Sequence, residues 1–543
     1  CDAQRIVAEG GPMFDLLFRQ ALVIDGTGTP GFVADVAMAD GRFAAVAPRL
    51  EARAAQIVPA LGLALAPGFI DLHCHSDAYH LEEPAGEIKI RQGVTLEVVG
   101  NCGASLAPLA PLRKQMGVDY CLGGPDRFRG APDWQTYGQY AAKVEGSRPV
   151  VNVAGLVGHG TLRVAAMGFA NRPATPTELD TMAGLLGDAL DAGAVGMSTG
   201  LYYAPGLFAT TDEVIALGRV VGRRGGYYAS HIRNEAEGLL DALDEALAVG
   251  RGSGVPVHIS HLKAAGTRNW AKADAAVAKI EAARRDGMDV TCDVYPYHFS
   301  STSLKAVIPP WALEGGTDGL VARLANPAER AKIVRDIREG LPGWENIYHN
   351  AGWEKIVISA LDSPERQHLQ GQSVARAALA GGADPFEWVM DLLLLERGAV
   401  NIIAGSMHEE NVARFLTLPF AMIGSDGAPR GGRPHPRVYG TFPRVIRRFV
   451  RELRSLSLED AVRKMTAASA DRLGLADRGR IQVGRQADAV LFDPDTFSDT
   501  ATFEDPCRYP VGLAAVTVGG RLVVHGDRMT GERAGRFCRR GGR

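Results

Sequence analysis

The chain has 543 residues, 46% of them hydrophobic and 22% charged, with a formal net charge of −3. Such a chain buries a large core without disulfide or metal staples, and it carries no strong basic field for nucleic acid. Its seven cysteines are sparse and unpatterned, and no apolar run is long enough to span a bilayer, which excludes a disulfide framework and a membrane span and points to the cytoplasm.

The chain opens at Cys1, and Met13 reads as the native start, so residues 1–12 read as a non-native or disordered segment. From Asp15 to Pro59, short apolar alternations split by Gly and Asp-Gly turns read as small antiparallel strands. The same texture returns near the end, in "GRIQVGRQADAVLFDPDTF" and "LAAVTVGGRLVVHGDRM". Residues 13–66 and 476–543 are therefore expected to form one small β-sandwich domain from both chain ends. The basic run "RAGRFCRRGGR" reads as a solvated tail.

Between these ends the rhythm changes. Eight short apolar runs end in polar residues: 68–75, 95–103, 150–160, 194–200, 226–235, 256–266, 289–297 and 420–427. Helical patterns separate them, among them "TPTELDTMAGLLGDALDAG" and "EAEGLLDALDEALAVGRGSG", each closing on Gly. Eight strands alternating with helices predict an α/β fold, a (β/α)8 TIM-like barrel over 67–475. The gap between the seventh and eighth runs predicts an insertion at about 303–400. The runs "KIVIS" and "VNIIAG" inside it compete for the eighth position; the chemistry favours 420–427.

Barrel active sites lie where strands end. The strand ends offer His73, His75, Cys102, His231, His261 and Asp426, which are zinc-type ligands. Each has a bland reading: a structural histidine, a buried small thiol, a loop-capping aspartate. The joint pattern, metal-competent groups from five strands, outweighs them. His73 and His75 share a face by strand alternation; Cys74 turns away and reads as packing. By the same parity His258 points to the face opposite His261 and reads as structural, whereas Lys263 shares the His261 face.

The motifs "PGFIDLHCHSD", "GNCGASLAP", "SHIRNE", "HISHLKAAG", "DVYPYHFSST" and "IGSDGAPRGGRPHPR" resemble those of the amidohydrolase superfamily, and within it the D-aminoacylase (N-acyl-D-amino-acid deacylase) family. The likeness runs from about Met13 to the C-terminus and is weakest over roughly 305–400. It implies a zinc held tightly by Cys102, His231 and His261, with His73 and His75 lining a second, weaker metal position and Cys102 as a candidate bridge. The fourth run, "AVGMSTG", lacks the bridging lysine of other superfamily members.

The implied reaction is hydrolysis of the amide of N-acyl-D-amino acids by metal-activated water, with Asp426 as general base and then acid. Tyr295, Ser301 and Arg437 match positions that grip the substrate carboxylate, and Tyr203 and Lys263 join them. The segment after "YPY" offers Lys305 but no arginine, which points to neutral or hydrophobic D-amino acids. The implied partner is this small molecule alone; a homo-oligomer stays open. The alternatives are cyclic-amide (hydantoin) or dipeptide hydrolysis on the same site, and a non-catalytic barrel scaffold.

Overall fold

The computed structural model describes residues 13–124, 127–429 and 431–542; the reading of residues 1–12 lies outside them. The first three apolar runs become parallel strands at Phe69–Asp71, Val94–Val99 and Asn152–Gly155. The third continues through Val157–Gly158 and pairs with the fourth, Gly196–Gly200. The fifth (Tyr227–His231), sixth (Val257–Ile259), seventh (Val290–Val294) and eighth (Ala421–Ile423) follow, all parallel. The ring closes just beyond the eighth and first strands, where Asp426 N donates to the His73 carbonyl (2.7 Å) and His75 N to that of Gly427 (2.9 Å).

Side-chain parity divides the apolar residues into an inner and an outer set. Ile70, Leu72, Leu96, Val98, Ala154, Leu156, Tyr227 and Ala229 pack into one cluster, the barrel interior. Phe69, Val153, Tyr228, Val257 and Cys292 join the much larger cluster shared with the surrounding helices. Two of those helices show why they form where they do. Pro176–Asp191 opens on a Thr175–Glu178 capping box with Pro at its first turn. Leu239–Ser253 stops at Gly254, whose φ of 70° favours glycine.

Strands from both chain ends join one nine-stranded sheet. The expected antiparallel texture holds for most pairs, but Met13–Val23 pairs in parallel with Arg53–Pro59 and with Ala64–Pro67. The basic tail is a correction. It runs back over the barrel instead of into solvent: Val153 N donates to the Arg536 carbonyl and Cys538 N to that of Val153. The reason is apolar: Phe537 is buried against Tyr137 and Tyr140.

The runs around 355–359 and 400–405 do not enter the barrel. Ile356–Leu361 and Val400–Ala404 form a small antiparallel sheet with Ser300–Ser303, over a separate core that includes Leu304, Ile337, Trp353 and Val389. This substructure stands at the mouth of the barrel. No helix among the described residues is long and apolar enough to cross a membrane.

Candidate metal centre

The first strand ends at Asp71, and the chain beyond it carries His73 and His75 into the mouth. His73 is fixed from behind: its Nδ1 lies 3.1 Å from Asp293 Oδ2, leaving Nε2 to face Cys102 Sγ at 3.3 Å. His261 Nε2 lies 3.4 Å from the same sulfur. His75 Nε2 lies 3.1 Å from Asp426 Oδ1. The ligand atoms of His73, Cys102, His261 and Asp426 fall within 4.8 Å of one another, and His231, Glu235 and His261 form a second such group. These groups cut across the division implied by the resemblance, with Cys102 central to the first. Cys74 lies apart, its Sγ donating to the Val98 carbonyl at 3.2 Å.

Three of these residues adopt left-handed backbone conformations: Cys102 (φ 50°), His261 (φ 35°) and Asp426 (φ 48°). Non-glycine residues rarely do so, and such conformations concentrate at functional sites. Strand alternation does not carry through His261, where the backbone turns. His258 is a structural histidine, its Nδ1 2.8 Å from Thr291 Oγ1. His258 Nε2 lies 2.9 Å from Asp293 Oδ2, and His261 N donates to Asp293 Oδ1 at 2.9 Å.

The electrostatics suit a cation. Burial raises the Cys102 thiol, but the neighbouring His73 and His261 outweigh it and pull the group well below its ordinary value. Burial likewise raises Asp426, yet the Arg437 guanidinium at 2.9 Å and the His75 contact hold it well below the usual carboxylate range. Burial lowers His231 and favours neutral imidazole. Both His231 ring nitrogens are buried without a hydrogen-bond partner. Burial lowers His73, His75 and His261 too, but the facing Cys102 and carboxylates outweigh it and push all three up; a zinc-type ion would take the place of those protons, and the orphaned His231 nitrogens fit one.

The cluster opens into a cavity of about 460 Å³. Tyr203, Lys263, Tyr295, Ser301 and Arg437 all line it, as does Lys305. Arg437 Nη2 donates to the Ser301 carbonyl (3.3 Å), and its guanidinium lies 4.6 Å from the Tyr295 ring centroid. Tyr203 Oη lies 3.0 Å from Thr302 Oγ1, and its ring packs edge-on against His231. The Lys263 ammonium donates to Glu235 Oε1 at 2.6 Å, and the same oxygen lies 2.9 Å from His261 Nδ1. Lys263 is thus an ion-pair partner as well as a cavity wall.

Sequence reasoning missed Asp293, Glu235 and Glu345. Asp293 had a usable signal, being two residues before Tyr295 on the same strand face. Glu235 is four residues after His231. Glu345 had none, because it comes from the insertion. Asp293→Asn tests the first. It places an amide N–H against His73 or His258, where a carboxylate now accepts, and selects the wrong tautomer of at least one ring. Metal affinity is expected to fall by about 10–100-fold with the fold retained; an unchanged affinity in a competitive chelator titration would remove Asp293 as the orienting group.

A parallel eight-stranded barrel whose strand ends bring imidazoles, a thiol and a carboxylate to one cavity defines a metal-dependent hydrolase of the barrel class. The chain belongs to the amidohydrolase family, whose model matches residues 56–524. It is 40% identical over 526 residues to the N-acyl-D-glutamate deacylase of Alcaligenes xylosoxydans xylosoxydans, covering 97% of this chain and 96% of that one. Among solved structures it resembles the N-acyl-D-glutamate deacylase of Bordetella bronchiseptica complexed with zinc and a phosphonate mimic of the tetrahedral intermediate (TM-score 0.83, 36% identity, 97% and 100% covered). It also resembles a D-aminoacylase with a binuclear metal centre showing one-metal activation and second-metal attenuation (TM-score 0.82, 36% identity, 97% and 100% covered).

Proposed function

We propose that this protein is a zinc-dependent deacylase that hydrolyses the amide bond of N-acyl-D-amino acids to a carboxylate and a free D-amino acid. The carrying observation is the convergence of Cys102, His261, His73 and Asp426 within 4.8 Å beside a substrate-sized cavity. Full-length similarity to deacylases of acidic and other D-amino acids supports the same reading.

Cys102, His231 and His261 would hold the tight metal, and His73 and His75 a second, weaker one. A bound zinc lowers the pKa of water towards about 7 and polarises an amide carbonyl. Asp426 Oδ1, facing both first-strand histidines, accepts the proton that the attacking water loses. It returns that proton to the leaving amine, which is otherwise too basic to depart. Arg437 reaches both Asp426 and the Ser301 carbonyl, so it steers the base while presenting a cation to the substrate carboxylate. Tyr295, stacked under Arg437, fixes the guanidinium plane, and Tyr203 and Lys263 close the other walls.

A cytoplasmic location belongs to the same proposal, supported by free cysteines throughout the described residues. The test is a stereo-paired substrate panel with metal quantitation on the same sample. N-acetyl-D-methionine and N-acetyl-D-glutamate are expected to be cleaved and their L-isomers spared. Both belong in the panel because Lys305 lines the cavity. Turnover of hydantoins or β-aspartyl dipeptides alone would overturn the linear-amide reading.

A further inference from the structure

The insertion contributes one carboxylate that reaches the metal centre's supporting chain, and nothing in the proposed reaction uses it. Glu345 is buried (7% exposed) and lines the cavity together with Trp344, Ile347 and Asn350. Its Oε2 accepts the backbone N–H of Glu235 at 2.5 Å, and its Oε1 accepts from Asn350 Nδ2 at 3.2 Å. Glu235 is the carboxylate that holds Lys263 and His261 Nδ1. Its carbonyl accepts the Ala265 N–H at 2.7 Å, which ties the fifth-strand loop to the sixth.

Glu345 is itself held firmly. Asn346, the next residue, caps Ile347–Ala351 and donates to the Ile337 carbonyl at 2.7 Å. Ile337, Ile347 and Trp353 belong to the insertion's own core. A rigid substructure with a separate core thus grips the Glu235 backbone through one side chain.

We propose that Glu345 is a positioning residue: it latches the fifth-strand loop to the insertion and thereby fixes Glu235, and through it the His261 ring and the Lys263 ammonium. The inference rests on the deacylase reading only for its activity measurement. What the latch requires is an acceptor, not a charge. Glutamine keeps one such acceptor for the Glu235 N–H, and its amide can face Asn350, whose own amide can turn to accept.

The test compares Glu345→Gln, Glu345→Ala and Glu345→Leu in the zinc-loaded full chain. Leu fills the space without offering an acceptor, in case Ala fails to fold. Amide hydrogen exchange over residues 232–238 is expected to rise by about tenfold or more in Ala and Leu, with the barrel strands unchanged. Their kcat/KM for an N-acyl-D-amino acid is expected to fall by about 10–100-fold, as small misplacements near reacting groups do. Bound zinc should be retained, and Gln should restore both the exchange pattern and the rate. Unchanged exchange in Ala and Leu, or a Gln variant as impaired as they are, would overturn the latch. A wild-type protein inactive on every N-acyl-D-amino acid, with the exchange pattern as expected, would count against the deacylase reading and leave the latch standing.

Discussion

Asp426→Asn is expected to keep its metal and lose about 10²–10⁴-fold in kcat, the usual contribution of a positioned general base. The substitution keeps the shape of the side chain and its left-handed backbone, which asparagine tolerates well. It removes the basic oxygen that faces both first-strand histidines, at 3.1 and 3.6 Å. It also strips Arg437 of its carboxylate partner in a buried setting. The variant should therefore melt below the wild type, because an uncompensated buried charge costs more than the intact pair contributes. Steady-state kinetics and metal analysis on one preparation decide it. A kcat within a few-fold of wild type would take proton transfer away from Asp426.

Cys102→Ala carries the second large effect. Cys102 Sγ is the point at which His73 and His261 meet, and its anionic form is favoured by both. Without it the imidazoles have no soft anionic donor among them. Bound zinc is expected to fall well below one equivalent, and deacylase turnover with it. The fold should persist, since the main core is contiguous and does not run through this position. Cys74→Ala is the matched control. That thiol is buried one residue from His73, yet it donates to the Val98 carbonyl and is pushed well above its ordinary pKa by burial and by Glu97 and Asp71. Its removal should leave metal content unchanged. Equal zinc loss in both variants would mean that general loosening of the barrel mouth, rather than ligation, explains the effect.

Much of this architecture is legible in the sequence. Strand runs that end in His, Cys or Asp announce a barrel with its chemistry at one pole. Parity along the first strand placed His73 and His75 together and Cys74 behind them. The same parity does not reach His261, which leaves the strand in a left-handed turn that no periodicity encodes. The ion pair of Arg437 with Asp426 depends on a contact between a loop and a helix start that only folding brings together. The insertion is legible as a gap holding two strand-like runs, which form its sheet instead of a barrel strand. The pairing of those runs, the separate core and the reach of Glu345 are long-range features without a local signature. The tail looked solvated because its many arginines hide one anchoring aromatic, Phe537.

The left-handed turns at Cys102, His261 and Asp426 also limit how the centre can be retuned. Donor placement here is written into the main chain, so a ligand can be exchanged for another only if the newcomer accepts the same backbone. Histidine and aspartate visit that region several-fold more often than β-branched residues do. Swapping the soft sulfur at position 102 for an imidazole or carboxylate is therefore conformationally open. A carboxylate there would shift the centre's preference towards harder ions such as manganese, whereas an imidazole would keep it with zinc, copper, iron and nickel. Threonine or valine at the same position would meet a backbone that refuses them, whatever their side chains offered. Selectivity among metals is thus adjustable in this scaffold along a narrow set of residue types, and the main chain decides which.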